Sequence, residues 1–227
     1  MSVLYQGDVF QVNAAGNPID PSVAALADGG FVVTWMSSQD AFHEGIYGQR
    51  YDASGTAQGG AFKVNSDNSV EVRAHSVAGL AGGGFVVTWT SDLQDGSVSN
   101  VYGQAYNASG TAQGGEFRVN SYTANDQLFP SVAALTGGGF VVTWDSYLQD
   151  GSSYGVYGQA YNASGTAQGG EFRVNSYTPN AQYYHSVAAL AGGGFVVTWE
   201  SAFQDGSSSY SVYGQAYNAS GTGCCPN

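Results

Sequence analysis

Three sets of residues in this chain have types and spacings suited to chemistry. The first follows each tryptophan, where acids and hydroxyls gather: Asp92, Gln94, Asp95 and Ser97, then Asp145, Gln149, Asp150 and Ser152, then Glu200, Gln204, Asp205 and Ser207. The first copy is shorter, Ser37-Ser-Gln-Asp40 followed by His43 and Glu44, and lacks the glycine. Hard oxygen ligands of this kind suit Ca²⁺, which takes about six to eight of them, so Asp40, Asp95, Asp150 and Asp205 are the candidate metal ligands. Asp-Gly-Ser is equally an ordinary turn sequence. The second set is a tyrosine and a glutamine two residues apart: Tyr47 and Gln49, Tyr102 and Gln104, Tyr157 and Gln159, Tyr213 and Gln215. An aromatic face beside an amide is what a sugar needs for stacking and hydrogen bonding; the opposing reading is that these residues pack one structural unit against the next. The third is His75 and His185, two repeats apart, which would either pair on a metal or cap loops.

These residues recur because the chain recurs. Phe-Val-Val-Thr-Trp stands at 31–35, 85–89, 140–144 and 195–199, and the tryptophan intervals are 54, 55 and 55 residues. A fixed period of this size marks a repeat architecture. Each unit offers four short strands: the small Ser-Val-Ala-Ala-Leu type, Phe-Val-Val-Thr-Trp, the Tyr-Gly-Gln strand ending at Tyr51, Tyr106, Tyr161 or Tyr217, and a Phe-x-Val-Asn strand. Asp52-Ala-Ser-Gly55 and its Asn-Ala-Ser-Gly counterparts supply tight turns, and no segment has a helical apolar face.

The pattern predicts an all-β chain: a β-propeller of four blades with four antiparallel strands each. The small strand is expected innermost and the aromatics between blades. Phe10-Gln-Val-Asn13 precedes the first unit and no such motif follows the last third strand. The N-terminal strand is therefore expected to pair in the last blade and close the ring, either within one chain or between two chains in an eight-bladed ring. The domain spans residues 1–223, with repeats at about 7–59, 60–114, 115–169 and 170–222, and 224–227 form a divergent tail that holds Cys224 and Cys225.

With 227 residues and 43% hydrophobic content, the chain can bury a sizeable core. Its 34 glycines and 14% aromatics favour strands and turns. Five basic residues and a formal charge of −12 exclude a nucleic-acid partner, which needs basic patches to neutralise phosphates. No apolar run reaches the roughly 18 residues of a membrane span, so membrane insertion is excluded as well. The N-terminus shows no signal peptide, which leaves a cytosolic chain, a piece of a larger protein, or export without an N-terminal signal.

The unit that runs from Gln-Asp-Gly-Ser through Val-Tyr-Gly-Gln-Ala-Tyr-Asn-Ala-Ser-Gly-Thr, Gly-Gly-Glu-Phe-Arg-Val-Asn and Ser-Val-Ala-Ala-Leu to Gly-Gly-Gly-Phe-Val-Val-Thr-Trp resembles a tandem repeat of large secreted bacterial RTX or haemolysin-type adhesins and exoproteins. A looser likeness is to the Asp-box propellers of sialidases. The first resemblance implies a secreted, non-enzymatic adhesion module that binds glycans or cell-surface polysaccharide at repeated sites, with Ca²⁺ as the expected cofactor. The RTX nonapeptide itself is absent, so its calcium sites do not transfer. A structural spacer inside a giant exoprotein and a sialidase-like hydrolase are the alternatives. The four arginines, at 50, 73, 118 and 173, and the near-identity of the repeats weigh against catalysis.

Overall fold

In a computed structural model of the protein, the described residues are 9–13, 16–38, 45–67, 70–96, 98–206 and 208–223. They form fifteen strands and no helix. Blade one holds β1 (Ile19–Ala25), β2 (Phe31–Ser37), β3 (Gly45–Tyr51) and β4 (Ala57–Lys63). Blade two holds β5 (Val72–Gly79), β6 (Phe85–Ser91), β7 (Asn100–Tyr106) and β8 (Ala112–Arg118). Blade three holds β9 (Gln127–Ala134), β10 (Phe140–Tyr147), β11 (Tyr154–Tyr161) and β12 (Ala167–Arg173). Blade four holds β13 (Gln182–Ala189), β14 (Phe195–Ala202) and β15 (Tyr210–Tyr217). Every sheet is an antiparallel meander in chain order, as short two-ended hairpins require.

The β-branched and aromatic Phe-Val-Val-Thr-Trp forms the second strand of each blade, and in blades two and three both of its faces are covered. One apolar cluster lies at each blade junction. Val32 and Met36 of blade one meet Phe85, Val87 and Trp89 of blade two, and the same pattern repeats across the next two junctions. The small inner strands neighbour one another, β1 on β5, β5 on β9 and β9 on β13, as expected from their side-chain size. Turns of the Asp52 type are built by the side chain itself: Asp52 Oδ1 accepts the amides of Ser54 at 2.8 Å and Thr56 at 3.0 Å, and Gly55 takes the left-handed conformation with φ 84°.

The outer strand differs from expectation. It begins at Ala57, Ala112 or Ala167, and the Phe-x-Val-Asn motif straddles its end. Val64 still donates to the Ile46 carbonyl at 2.7 Å, and Ile46 donates to Asn65 Oδ1 at 2.8 Å, so a side chain replaces the last rung of the ladder. The phenylalanine wedges into the next blade: Phe117 packs on Phe140 and Tyr161, Phe172 on Phe195 and Tyr217.

Ring closure also differs. Among the described residues the fourth sheet has three strands, residues 9–13 carry none, and no contact comparable to those between neighbouring blades joins β1 to β13. Phe10 sits on Phe31 and Tyr51 of blade one, as Phe117 and Phe172 sit on the blades that follow theirs. Cys224 and Cys225 lie outside the described residues.

Candidate active site

The residues expected to bind sugar have internal partners. Tyr47, Gln49, Tyr102, Gln104, Tyr157 and Gln159 are buried. Gln49 sits at the register shift between β3 and β4, where its amide donates to the carbonyls of Arg50 at 2.9 Å and Gly59 at 3.2 Å. Gln104 and Gln159 repeat this, and Gln215 in blade four donates to the Ala216 carbonyl at 3.2 Å. Tyr47, Tyr102 and Tyr213 stack on Trp35, Trp89 and Trp199, each at 6.4 Å between ring centroids.

Three of the expected calcium ligands make internal contacts, while Asp150 Oδ2 is buried without a hydrogen-bond partner among the described residues. Asp95 pairs with Arg118 at 2.8 Å, Asp150 accepts the Ser152 amide at 3.2 Å, and Asp205 accepts the Ser211 hydroxyl at 2.6 Å. Asp40 lies outside the described residues. No group of three or more His, Cys, Asp or Glu side chains comes together among the described residues. His75 and His185 do not meet either; each is held against the blade that precedes its own.

The structure does assemble a polar site at the junction of blades three and four. In β10, Phe140, Val142 and Trp144 face blade two, whereas Val141 faces blade four. Strand alternation puts Asp145 on the blade-four face. There its Oδ1 meets His185 Nδ1 at 2.7 Å, with the two side chains 3% and 1% exposed. His185 comes from an irregular stretch of β13, where register shifts between Tyr183 and Ser186 and Tyr184 takes φ 51°. Such bulges re-aim side chains next to sites, and the one in β9 does the same at Phe129, with φ 55°.

Phe129, Asp145, Tyr154, Tyr183 and Tyr184 line a pocket of about 180 Å³ here. Burial, then the charges of Asp126, Tyr147 and Asp145, push the Tyr154 phenol up. The Tyr183 phenol is pushed up to about 12, first by its hydrogen bond with Tyr210, then by burial and by Tyr210, Tyr184 and Glu200. Both therefore remain protonated donors at neutral pH. Two carboxylates, Asp126 and Asp145, act on the same phenol; Asp126, which is not among the residues lining the pocket, accepts the Ser99 amide at 3.2 Å. A wider groove of about 500 Å³, between β8 and blade three, is lined by Arg118 and Gln159 but by no carboxylate.

Sequence reasoning placed Asp145 among the loop acids and His185 opposite His75. The available signal was a pair of variable positions in an otherwise fixed unit. The residue after each tryptophan reads Met36, Thr90, Asp145, Glu200, and the residue before each inner Ser-Val reads Pro21, His75, Pro130, His185. Only one junction brings an acid from the first series against a histidine from the second.

No protein-family model matches the sequence, and no curated protein matches it. Solved structures do match the fold. A thermostable family-43 glycoside hydrolase aligns at 11% identity over 92% of this chain and 75% of its own, with a TM-score of 0.54. The endo-arabinase from Bacteroides thetaiotaomicron VPI-5482 aligns at 16% identity over 87% and 74%, with a TM-score of 0.53. An α-L-arabinanase from Penicillium chrysogenum, complexed with arabinobiose, aligns at 14% over 81% and 59%, with a TM-score of 0.54. At these identities the likeness is one of fold. It is a glycoside-hydrolase fold and not that of an RTX adhesin repeat. The expected adhesin relationship, and with it the non-enzymatic, lectin-like, calcium-binding adhesion module, is corrected on that finding. The physical reason is that the units are not equivalent where it matters: near-identical blades still differ at the junction positions that form the pocket.

Proposed function

We propose that this chain is a glycoside hydrolase that works at the pocket between blades three and four. The observation that carries the proposal is the buried Asp145–His185 pair at a pocket walled by tyrosines. Glycoside hydrolysis uses two carboxyl groups, one to protonate the leaving oxygen and one to act as base or nucleophile. Asp145, fixed by His185, is assigned the ionised role, and Asp126, the second carboxylate acting on Tyr154, the proton-donor role. The phenols of Tyr154 and Tyr183 supply donors for sugar hydroxyls, while Phe129 and Tyr184 supply apolar faces.

At about 180 Å³ the pocket is smaller than the roughly 300–1,000 Å³ of sites for drug-sized ligands. It suits a single terminal sugar. Arabinose-containing glycans are the proposed substrates, because neighbours of this fold are named arabinanases and α-L-arabinofuranosidases and one is complexed with arabinobiose. Polymeric glycan does not cross membranes, so we place the action outside the cell. The test is release of arabinose from arabino-oligosaccharides and of nitrophenol from 4-nitrophenyl α-L-arabinofuranoside. Asp145→Asn and Asp126→Asn should each lower turnover by about 10²-fold or more. Absence of turnover across arabino- and other chromogenic glycosides, or an unaffected Asp145→Asn variant, would overturn the proposal.

A further inference from the structure

We infer that the two ends of the blade array form a docking pair, and that the partner which fits is a second copy of this chain. The evidence is a comparison of equivalent positions. Ile46, Val101 and Val156 are each 0% exposed, whereas Val212, at the same register in blade four, is 74% exposed. Val77, Val132 and Val187 are 8% exposed, whereas Val23 of blade one is 65% exposed. Thr34, Thr88 and Thr143 are fully covered and Thr198 is not. Nine of the twelve large apolar side chains exposed among the described residues belong to blade one, blade four or the segment at 9–13.

The exposed surfaces are the two halves of the interface that the chain builds three times internally. One face of blade four repeats the residues that blades one to three present to their successors. One face of blade one repeats what blades two to four present to their predecessors. The phenylalanine wedge shows the fit in detail. Phe117 is held between Gly103 of its own blade and Gly165 of the next, and Phe172 between Gly158 and Gly221. Among the described residues, Phe10 touches Gly55 of blade one but has no glycine on its other side, while Gly214 of β15 has no ring upon it. Tyr51 already donates to the Val12 carbonyl at 3.2 Å, as Tyr161 does to Val119 and Tyr217 to Val174.

Residues 10–13 thus sit on blade one where the outer-strand motif of a preceding blade belongs. Because β15 of the same chain is not beside them, the blade that they complete is the fourth blade of another copy. Val12 is then placed to donate to the Val212 carbonyl, as Val64 does to Ile46. Such a head-to-tail interface closes into a ring if the rotation permits and otherwise propagates.

Sedimentation velocity of the chain over a concentration series should show species of at least twice its 23.5 kDa mass. Thr198→Lys, at a position exposed in the single chain, should return the protein to one folded chain whose thermal midpoint no longer depends on concentration and matches that of dilute wild type. So should Gly214→Ala, whose added methyl meets its nearest neighbour at 3.4 Å in the single chain but would strike the incoming Phe10 ring. Wild-type protein that sediments as one chain at every concentration, whether as an open array or as a self-closed ring, would overturn the inference. So would assembly that both variants leave intact.

Discussion

Replacing His185 by proline isolates what the Asp145 pair contributes, because the chain carries the control at another junction. Between blades two and three the same two positions are Thr90 and Pro130, and the Phe129 amide reaches Thr90 Oγ1 at 3.2 Å. The preceding residues match in backbone, Phe129 at φ 55° and Tyr184 at φ 51°, so proline at 185 meets a conformation already used before Pro130. His185→Pro alone leaves Asp145 buried without its partner. Breaking a buried pair in this way costs about 3–5 kcal/mol, and for a chain of this size each kcal/mol lowers the melting temperature by roughly 2–4 °C. A fall of roughly 10 °C is expected. The double variant Asp145→Thr/His185→Pro copies the blade two–three junction, removes the orphaned charge, and should return to within about 1 kcal/mol of wild type. Denaturant unfolding at pH 7, followed by tryptophan fluorescence, measures both. Both variants should lose hydrolysis. The reasoning fails if the single change costs less than about 1 kcal/mol, or if the double change costs as much as the single.

Two further outcomes follow from the same junctions. His75 is buried against blade one, and burial pulls its basicity down against the opposing pull of the Thr34 backbone and Asp20. The unfolded chain therefore binds a proton that the folded chain resists, so stability present above about pH 6.5 should fall as pH drops below it. His75→Gln should flatten that slope in urea midpoints measured between pH 7 and 5. Gly158→Ala would place a methyl 2.7 Å from a Phe172 ring that Gly221 confines from the other side, so it should cost about 1–3 kcal/mol in denaturant unfolding; a cost under about 0.5 kcal/mol would refute the wedge.

Much of the fold was legible because it rests on repeated local signals. Phe-Val-Val-Thr-Trp announces a strand that the middle blades cover on both faces, Asp52-Ala-Ser-Gly55 a turn that its own side chain stabilises, and Ser-Val-Ala-Ala-Leu a strand that neighbours crowd. Closure was not legible, since it depends on where Phe10 docks, and its motif fits either side of the same junction. The Tyr-Gln sets carry two readings for a related reason. A residue pair that recurs four times looks like a site, yet recurrence is also what a bulge needs when every blade must satisfy the same carbonyls, and Gln49 Nε2 spends its protons there.

The candidate site escaped notice because it is made by difference and not by repetition. In blades two to four the tryptophan is fixed by packing on the preceding blade and the inner valine by crowding between inner strands, so neither position can vary without cost. The residue after the tryptophan points the other way, at the rim, where only the residue facing it from the next inner strand constrains it. Asp145 meets His185 and Thr90 accepts the Phe129 amide beside Pro130, and Met36 and His75 hold the equivalent positions at the first junction. Duplication therefore supplied a scaffold whose cores are locked and whose junction rims are free to diverge. A repeat chain of this kind gains a polar pocket by changing two residues at one junction, while its other junctions keep the fold.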